Sequence, residues 1–307
     1  MNENFDDILT ATQENKRPQA QQTRLEPYDK AAYKEKKQNE RERCYRLADL
    51  TLERMAASAE VYIAYLNVQA RFNRYSVTNA LLLTAQCPNT AQLATFEDWQ
   101  KAGVRIEKNS KAIFLLEPSK EYEREDGSIG ASFNVKKVFD ISQTNAAPHQ
   151  NEIHRDQRLL IRALLHNAPC TLAFDDDLPA TVEAQYKPEN KTLYVRHGLN
   201  GDDMFRALAR ELAFANLDKG DGFSRIENTF RAKSIAYLVC VRNCIAPETV
   251  IVPSSYSSQE PKALKQALQE IREIANTMHS SMDQVLSKQH REQALQQNKN
   301  SRSGNAR

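Results

Sequence analysis

The feature that most constrains the fold is a double change in the spacing of apolar residues along the chain. From about Lys36 they recur every three or four positions, at Tyr45, Leu47, Leu50, Leu52, Met55 and Ala59 and again from Val61 to Phe72, which is the period of a helix face. Asn73 interrupts this run. Ser76–Gln86 resumes it until Pro88, because the residue before a proline is pushed out of the helical region. Thr95–Ala102 reads as a short helix carrying the single tryptophan, Trp99, with Gly103 as its stop. At Lys111 this period stops, giving way to a compact apolar run and then to alternation from Ser132. Lys111–Glu117 and Ser132–Ile141 read as strands flanking a turn at Asp126 and Gly127, and a two-stranded antiparallel pair is the simplest construction. Ser142–Pro148 is polar and marks the expected domain boundary. The helical period then returns over Asp156–His166, Asp202–Leu217 (with Asp202 or Asp203 as N-cap), Ile226–Cys244 and Pro261–Leu286. Short strands are expected near Thr171–Phe174 and Lys191–Arg196.

This pattern predicts an α+β chain of two folded parts: a helical domain with a small antiparallel sheet over residues 36–147, and a mostly helical domain over 148–286. A length of 307 residues is enough for two cores. Residues 1–35 are rich in Asn, Gln, Lys and Glu and are expected to form a disordered arm. Residues 287–307, with five Lys or Arg against one Glu, are expected to form a basic disordered tail.

Several function classes lose support at once. Lys and Arg number 42 against 40 Asp and Glu, so the net charge of +2 names no partner and any affinity for nucleic acid must come from local clustering. Five cysteines without a CxxC pair argue against a disulfide framework or a cysteine-rich zinc site. Cys240 and Cys244 stand four apart on an apolar helix, where packing is the favoured role. The six histidines are scattered, with no two at ligand spacing on one helix. Without an apolar run of about 18 residues or a leader-like start, the chain is expected to be a cytoplasmic protein without membrane contact.

Between Arg71 and Lys111 six cations (Arg71, Arg74, Lys101, Arg105, Lys108, Lys111) face three carboxylates. Phe72, Tyr75, Phe96 and Trp99 and the amides of Asn73, Asn79 and Gln86 are interleaved with them. Single-stranded DNA calls for this mixture: cations for a flexible phosphate chain, rings on which unpaired bases stack, and amides for base edges. The same composition also describes an ordinary solvated face, and a lone tryptophan is often a core residue.

A resemblance bears on the choice. Tyr75-Ser76, Asn79 to Leu83, Gln86 with Pro88, Trp99, Gly103, Lys108 with Lys111, Glu117-Pro118 and Phe139 to Thr144 follow one another over about 75 residues in the order of the ArdC antirestriction family. The stretch also resembles the LtrC-like proteins of conjugative elements. The resemblance implies an N-terminal domain that binds single-stranded DNA, in the setting of a plasmid or conjugative transposon and of DNA protection during transfer. The candidate DNA-binding residues are Arg74, Tyr75, Asn79, Trp99, Arg105, Lys108 and Lys111. Where the family has glycines in its basic turn this chain has Asn109 and Ala112, and asparagine tolerates a left-handed backbone.

The same family carries a zincin-like metallopeptidase domain after its DNA-binding part, and residues 160–280 resemble it. A zincin helix sets two histidines at i and i+4 on one face, with a glutamate that activates metal-bound water. Aligned on FRALARELAFANL, those positions read Arg210, Glu211 and Phe214, and the acidic third ligand falls on Lys233. Only the glutamate is kept, and neither Arg nor Phe ligates zinc. The implied second domain is a pseudo-metallopeptidase with no catalytic residue, metal or cofactor, available as a contact for a protein partner. Because adjacent helix positions point about 100° apart, Glu211 is expected to pair with Lys233 rather than with Arg210. Two rivals stand beside this reading: an active metallopeptidase with an unrecognised metal site, and a protein–protein interaction module.

Overall fold

The computed structural model describes residues 30–123, 129–147, 156–220 and 222–304. The chain divides into two compact units, Met1–Gln38 and Asn39–Arg307. Within the first unit, residues 30–38 are the opening turns of helix α1 (Lys30–Ala57). The expected arm therefore turns helical at Lys30, and its residues 1–29 lie outside the described residues. The remaining elements all belong to the second unit.

Four helices precede and flank the first sheet. Ser58 separates α1 from α2 (Ala59–Arg71) by taking an extended backbone, and its hydroxyl accepts the Val61 N–H. α3 (Val77–Gln86) is capped by Ser76 in the same way. α4 (Phe96–Lys101) starts at the Thr95 cap and ends before Gly103, whose φ of +73° a residue with a side chain rarely adopts. The expected strand pair is present as β2 (Ile113–Glu123) and β3 (Ile129–Asp140), antiparallel with Phe114 opposite Lys137. A third strand, β1 (Leu93–Ala94), adds to β3, giving the order β1-β3-β2.

In the second half, α5 (Gln157–Leu164) is followed by β4 (Thr171–Phe174), β5 (Ala184–Lys187) and β6 (Thr192–Val195), with β6 central and parallel to β4. β5 had no separate periodic signal in its four residues. α6 (Gly201–Leu217) is capped by Asn200, not by Asp202 or Asp203; those two lie in its first turn, where the helix dipole favours their charge. α7 (Arg225–Arg242) packs on α6, and α8 (Pro261–Gly304) closes the fold. α8 continues to Gly304 rather than ending at Leu286, because the polar residues after Ser287 are mostly good helix formers without Gly or Pro before that point.

One apolar core runs through residues on both sides of the boundary expected at 147/148. Its largest fully buried side chains include Tyr62 and Tyr65 of α2 and Phe205 and Phe214 of α6. Burial of tyrosines requires partners for their hydroxyls, and Tyr62 Oη meets Ser234 Oγ of α7 at 2.7 Å. Nearby, Tyr237 Oη donates to Asn67 Oδ1 at 3.0 Å. α8 grips the turn after α2: Arg272 Nε donates to the Tyr75 carbonyl at 2.7 Å and Asn276 Nδ2 to that of Asn73 at 3.1 Å. Among the described residues, no helix is long and apolar enough to cross a membrane.

Candidate functional site

The seven candidate DNA-binding residues separate by exposure. Arg105, Lys108 and Lys111 are exposed on the loop between α4 and β2, and among the described residues none of them is held in an ion pair. Their backbone is pinned to residues 143–145. Glu107 N–H donates to the Gln143 carbonyl at 2.8 Å, Arg105 N–H to Asn145 Oδ1 at 2.9 Å, and Gln143 Nε2 to the Lys111 carbonyl at 2.8 Å. Asn109 sits at φ +69°, a left-handed backbone that asparagine tolerates better than most residues with a side chain. A rigid loop thus presents three solvated cations. Arg74 is exposed and Tyr75 half-buried, its ring stacked on Phe72 at 5.5 Å between centroids with the planes 8° apart.

Trp99 and Asn79 have other duties. Trp99 is 4% exposed and its indole N–H donates to the Phe139 carbonyl at 2.9 Å, tying α4 to β3. No base can stack on a ring so covered, and the expectation for Trp99 is corrected to a core role. Asn79 Nδ2 donates to the Leu116 carbonyl and its Oδ1 accepts the Leu116 N–H, both at 2.8 Å. Gln86, two turns on, makes the same pair of bonds to Phe114, at 3.0 and 2.9 Å. The two amides thereby act as a surrogate strand along the outer edge of β2, a place where unpaired backbone groups otherwise invite association. Asn79 is thus spent on the protein's own backbone rather than on a base edge.

Asp140, at the end of β3, was not singled out in the sequence. It is buried, and its carboxylate accepts from Thr90 Oγ1 at 2.6 Å and from the N–H groups of Ala91, Gln92 and Ser142 at 2.8 to 3.0 Å. Burial pushes its carboxyl up, but the hydrogen bonds from Ser142, Thr90 and Ala91 outweigh this and hold it below the ordinary aspartate value. It fixes the segment that pins the cationic loop.

Glu211 lies on α6 with no exposed surface. Arg225, the first residue of α7, holds it through two bonds, Nη1 to Oε2 at 2.8 Å and Nη2 to Oε1 at 2.6 Å. Arg210 Nε adds a third at 3.1 Å to Oε1, and the Tyr186 N–H of β5 a fourth at 2.8 Å to Oε2. These four bonds use the full acceptor capacity of a carboxylate. The Arg225 guanidinium also stands 4.0 Å from the Phe214 ring centroid, over one face of the ring. Arg210 reaches on to Glu248.

The expected partner Lys233 is therefore replaced by Arg225. Lys233 lies two turns further along α7, about 12 Å up the axis and turned by about 80° from the Arg225 position. Arg225 was invisible to motif reasoning because it enters only through the turn after α6, where Gly220 and Gly222 adopt φ of +107° and +84° and reverse the chain. Among the described residues no three His, Cys, Asp or Glu side chains gather as a metal site. Cys240 is buried in the core and Cys244 is exposed beyond the end of α7.

Residues 53–160 match the family described as the N-terminal domain of anti-restriction factor ArdC. Among solved structures, the chain is similar to the antirestriction ArdC protein from R388 plasmid in its metal-free structure. The TM-score is 0.54 at 16% identity, covering 78% of this chain and 98% of that one. The Mn(II)-bound structure of the same protein gives 0.54 and 16%, over 77% and 98%. At this identity the likeness is one of fold. Comparison with curated proteins returns no match.

Proposed function

We propose, from the premise that residues 53–160 of this chain belong to the ArdC antirestriction family, that the protein binds single-stranded DNA through its first half and that its Glu211 centre is a scaffold, not a peptidase. The observation that carries the first part is the pinned loop with exposed Arg105, Lys108 and Lys111. A fixed row of solvated cations loses little entropy when it engages a phosphate chain. A role in DNA protection during transfer follows from the family and belongs to the same proposal. In a titration at several salt concentrations, single-stranded DNA is expected to bind more tightly than duplex. Replacing Lys108 and Lys111 together lowers the slope of log affinity against log salt by roughly 0.7 for each phosphate no longer neutralised. An unchanged slope would place these lysines off the path.

The second part rests on the groups aimed at Glu211. The ArdC protein of R388 also has an Mn(II)-bound structure, but the residues here do not fit such an ion. Arg225, Arg210 and the Tyr186 N–H are all hydrogen-bond donors, and the ring of Phe214 offers no lone pair. A carboxylate whose acceptor sites are full and which sits beside two guanidiniums is a poor base for activating water. The surface of this half remains available to a protein partner.

A further inference from the structure

α1 and β2 enclose a groove of about 380 Å³ whose apolar wall is formed by Cys44, Leu47, Leu50 and Phe114. Leu50 is 47% exposed there. Arg43 and Arg46, one helical turn apart, stand exposed on the rim. Lys137 crosses from β3, its Nζ 5.7 Å from the Phe114 ring centroid. The carboxylate in the lining, Glu40, lies 3.9 Å from that same Lys137 Nζ, and Asp49 on the neighbouring face of α1 is taken up by Lys265 at 2.6 Å. The rim is thus left with a positive excess over an apolar wall. Gln86, also in the lining, has its amide spent on the Phe114 backbone, so the groove has no free amide with which to read base edges.

Position ties this groove to the cationic loop. Lys111 precedes Phe114 by three residues, no more than about 10 Å of chain, so the groove lies within that reach of the cationic loop. We infer that the groove holds one unpaired nucleotide of the bound strand, its base against Leu47, Leu50 and Phe114 and its phosphates toward Arg43 and Arg46. The volume suits one small ligand, and only a base taken out of its duplex stack can lay its face against this wall. That makes the groove a physical source of preference for single strands, with little preference among bases. The inference rests on the proposed binding of single-stranded DNA.

The test is a fluorescence-anisotropy titration with a labelled oligothymidine and a duplex of equal length. Leu50→Trp fills the groove from an exposed position. It is expected to weaken oligothymidine binding roughly 5- to 100-fold, the equivalent of about one stacked base, while leaving the salt slope and the weaker duplex binding unchanged. Arg43→Gln with Arg46→Gln, both at the surface, should instead lower the salt slope. If wild-type protein fails to bind the oligonucleotide, the single-strand reading itself falls. If it binds, and Lys108 and Lys111 set the slope, but both groove variants bind like wild type, the groove inference alone is overturned. An equal weakening of duplex binding in Leu50→Trp, or displacement of the oligonucleotide by polyglutamate at matched charge, would also overturn it, since either shows a site that reads charge only.

Discussion

At the scale of single residues, the decisive arrangement is the pairing of Glu211 with Arg225. A fully buried carboxylate is tolerated only when paired and fully hydrogen-bonded, and removing one partner leaves the other uncompensated. Glu211→Gln and Arg225→Met are each expected to lower unfolding stability by roughly 3 kcal/mol, at the low end of the range because Arg225 is about one-third exposed. The double variant should lose less than the sum, by roughly 0.5–3 kcal/mol, as read from urea unfolding. Strict additivity would show that the two groups do not depend on each other. Asp140 supplies the acid dependence. Its folded value is depressed, so it contributes stability above the ordinary aspartate value of about 3.9, and that contribution is lost as pH falls through the lower folded value. Asp140→Asn should flatten this acid limb of the stability profile and lower stability at neutral pH. An acid limb identical to wild type would assign it to other carboxylates.

At the scale of elements, α8 carries a regular buried face along its first part. Its buried positions, Leu264, Ala267, Leu268, Ile271, Ala275, Met278, Met282 and Leu286, recur at helical spacing, and among the residues whose burial is described the last is Leu286. The helix continues to Gly304 with a local excess of cations. Ending the chain before Ser287 is therefore expected to leave the thermal unfolding midpoint within a few degrees of the full chain. It should weaken the proposed DNA binding modestly at low salt, because outlying charge speeds capture more than it fixes register. A collapse of the midpoint would reveal a packing role, and equal binding at low salt would leave the extension a spacer. The hairpin of β2 and β3 was legible because its signals, a compact apolar run, a turn at Asp126 and Gly127 and an alternating run, are local. β5 was not, since four residues carry too little pattern and its place depends on Glu211 receiving the Tyr186 N–H.

At the scale of the whole molecule, the proposed scaffold role of Glu211, held by the Arg225 guanidinium over Phe214, predicts a second half that does not depend on metal. Adding a chelator or Mn(II) should leave the unfolding midpoint unchanged, since an ion that binds only the folded state would raise it. A rise with Mn(II) would refute the scaffold reading. What the sequence by itself determined is what depends on neighbours along the chain. The period of apolar residues set the α+β pattern and most helices, the order of short motifs from Tyr75 to Thr144 pointed to the family whose N-terminal domain matches residues 53–160, and Arg210 and Phe214 stand where the resemblance would put zinc ligands. Tertiary structure decided what depends on approach between distant segments. It turned Trp99 inward onto Phe139 and engaged Asn79 on the edge of β2. It also gave Glu211 to Arg225 instead of Lys233 and joined the two halves in one core. The physical reason is that side-chain type and spacing fix which face of an element is apolar, whereas the partner of a buried polar group is chosen by which elements meet there and at what height along their axes.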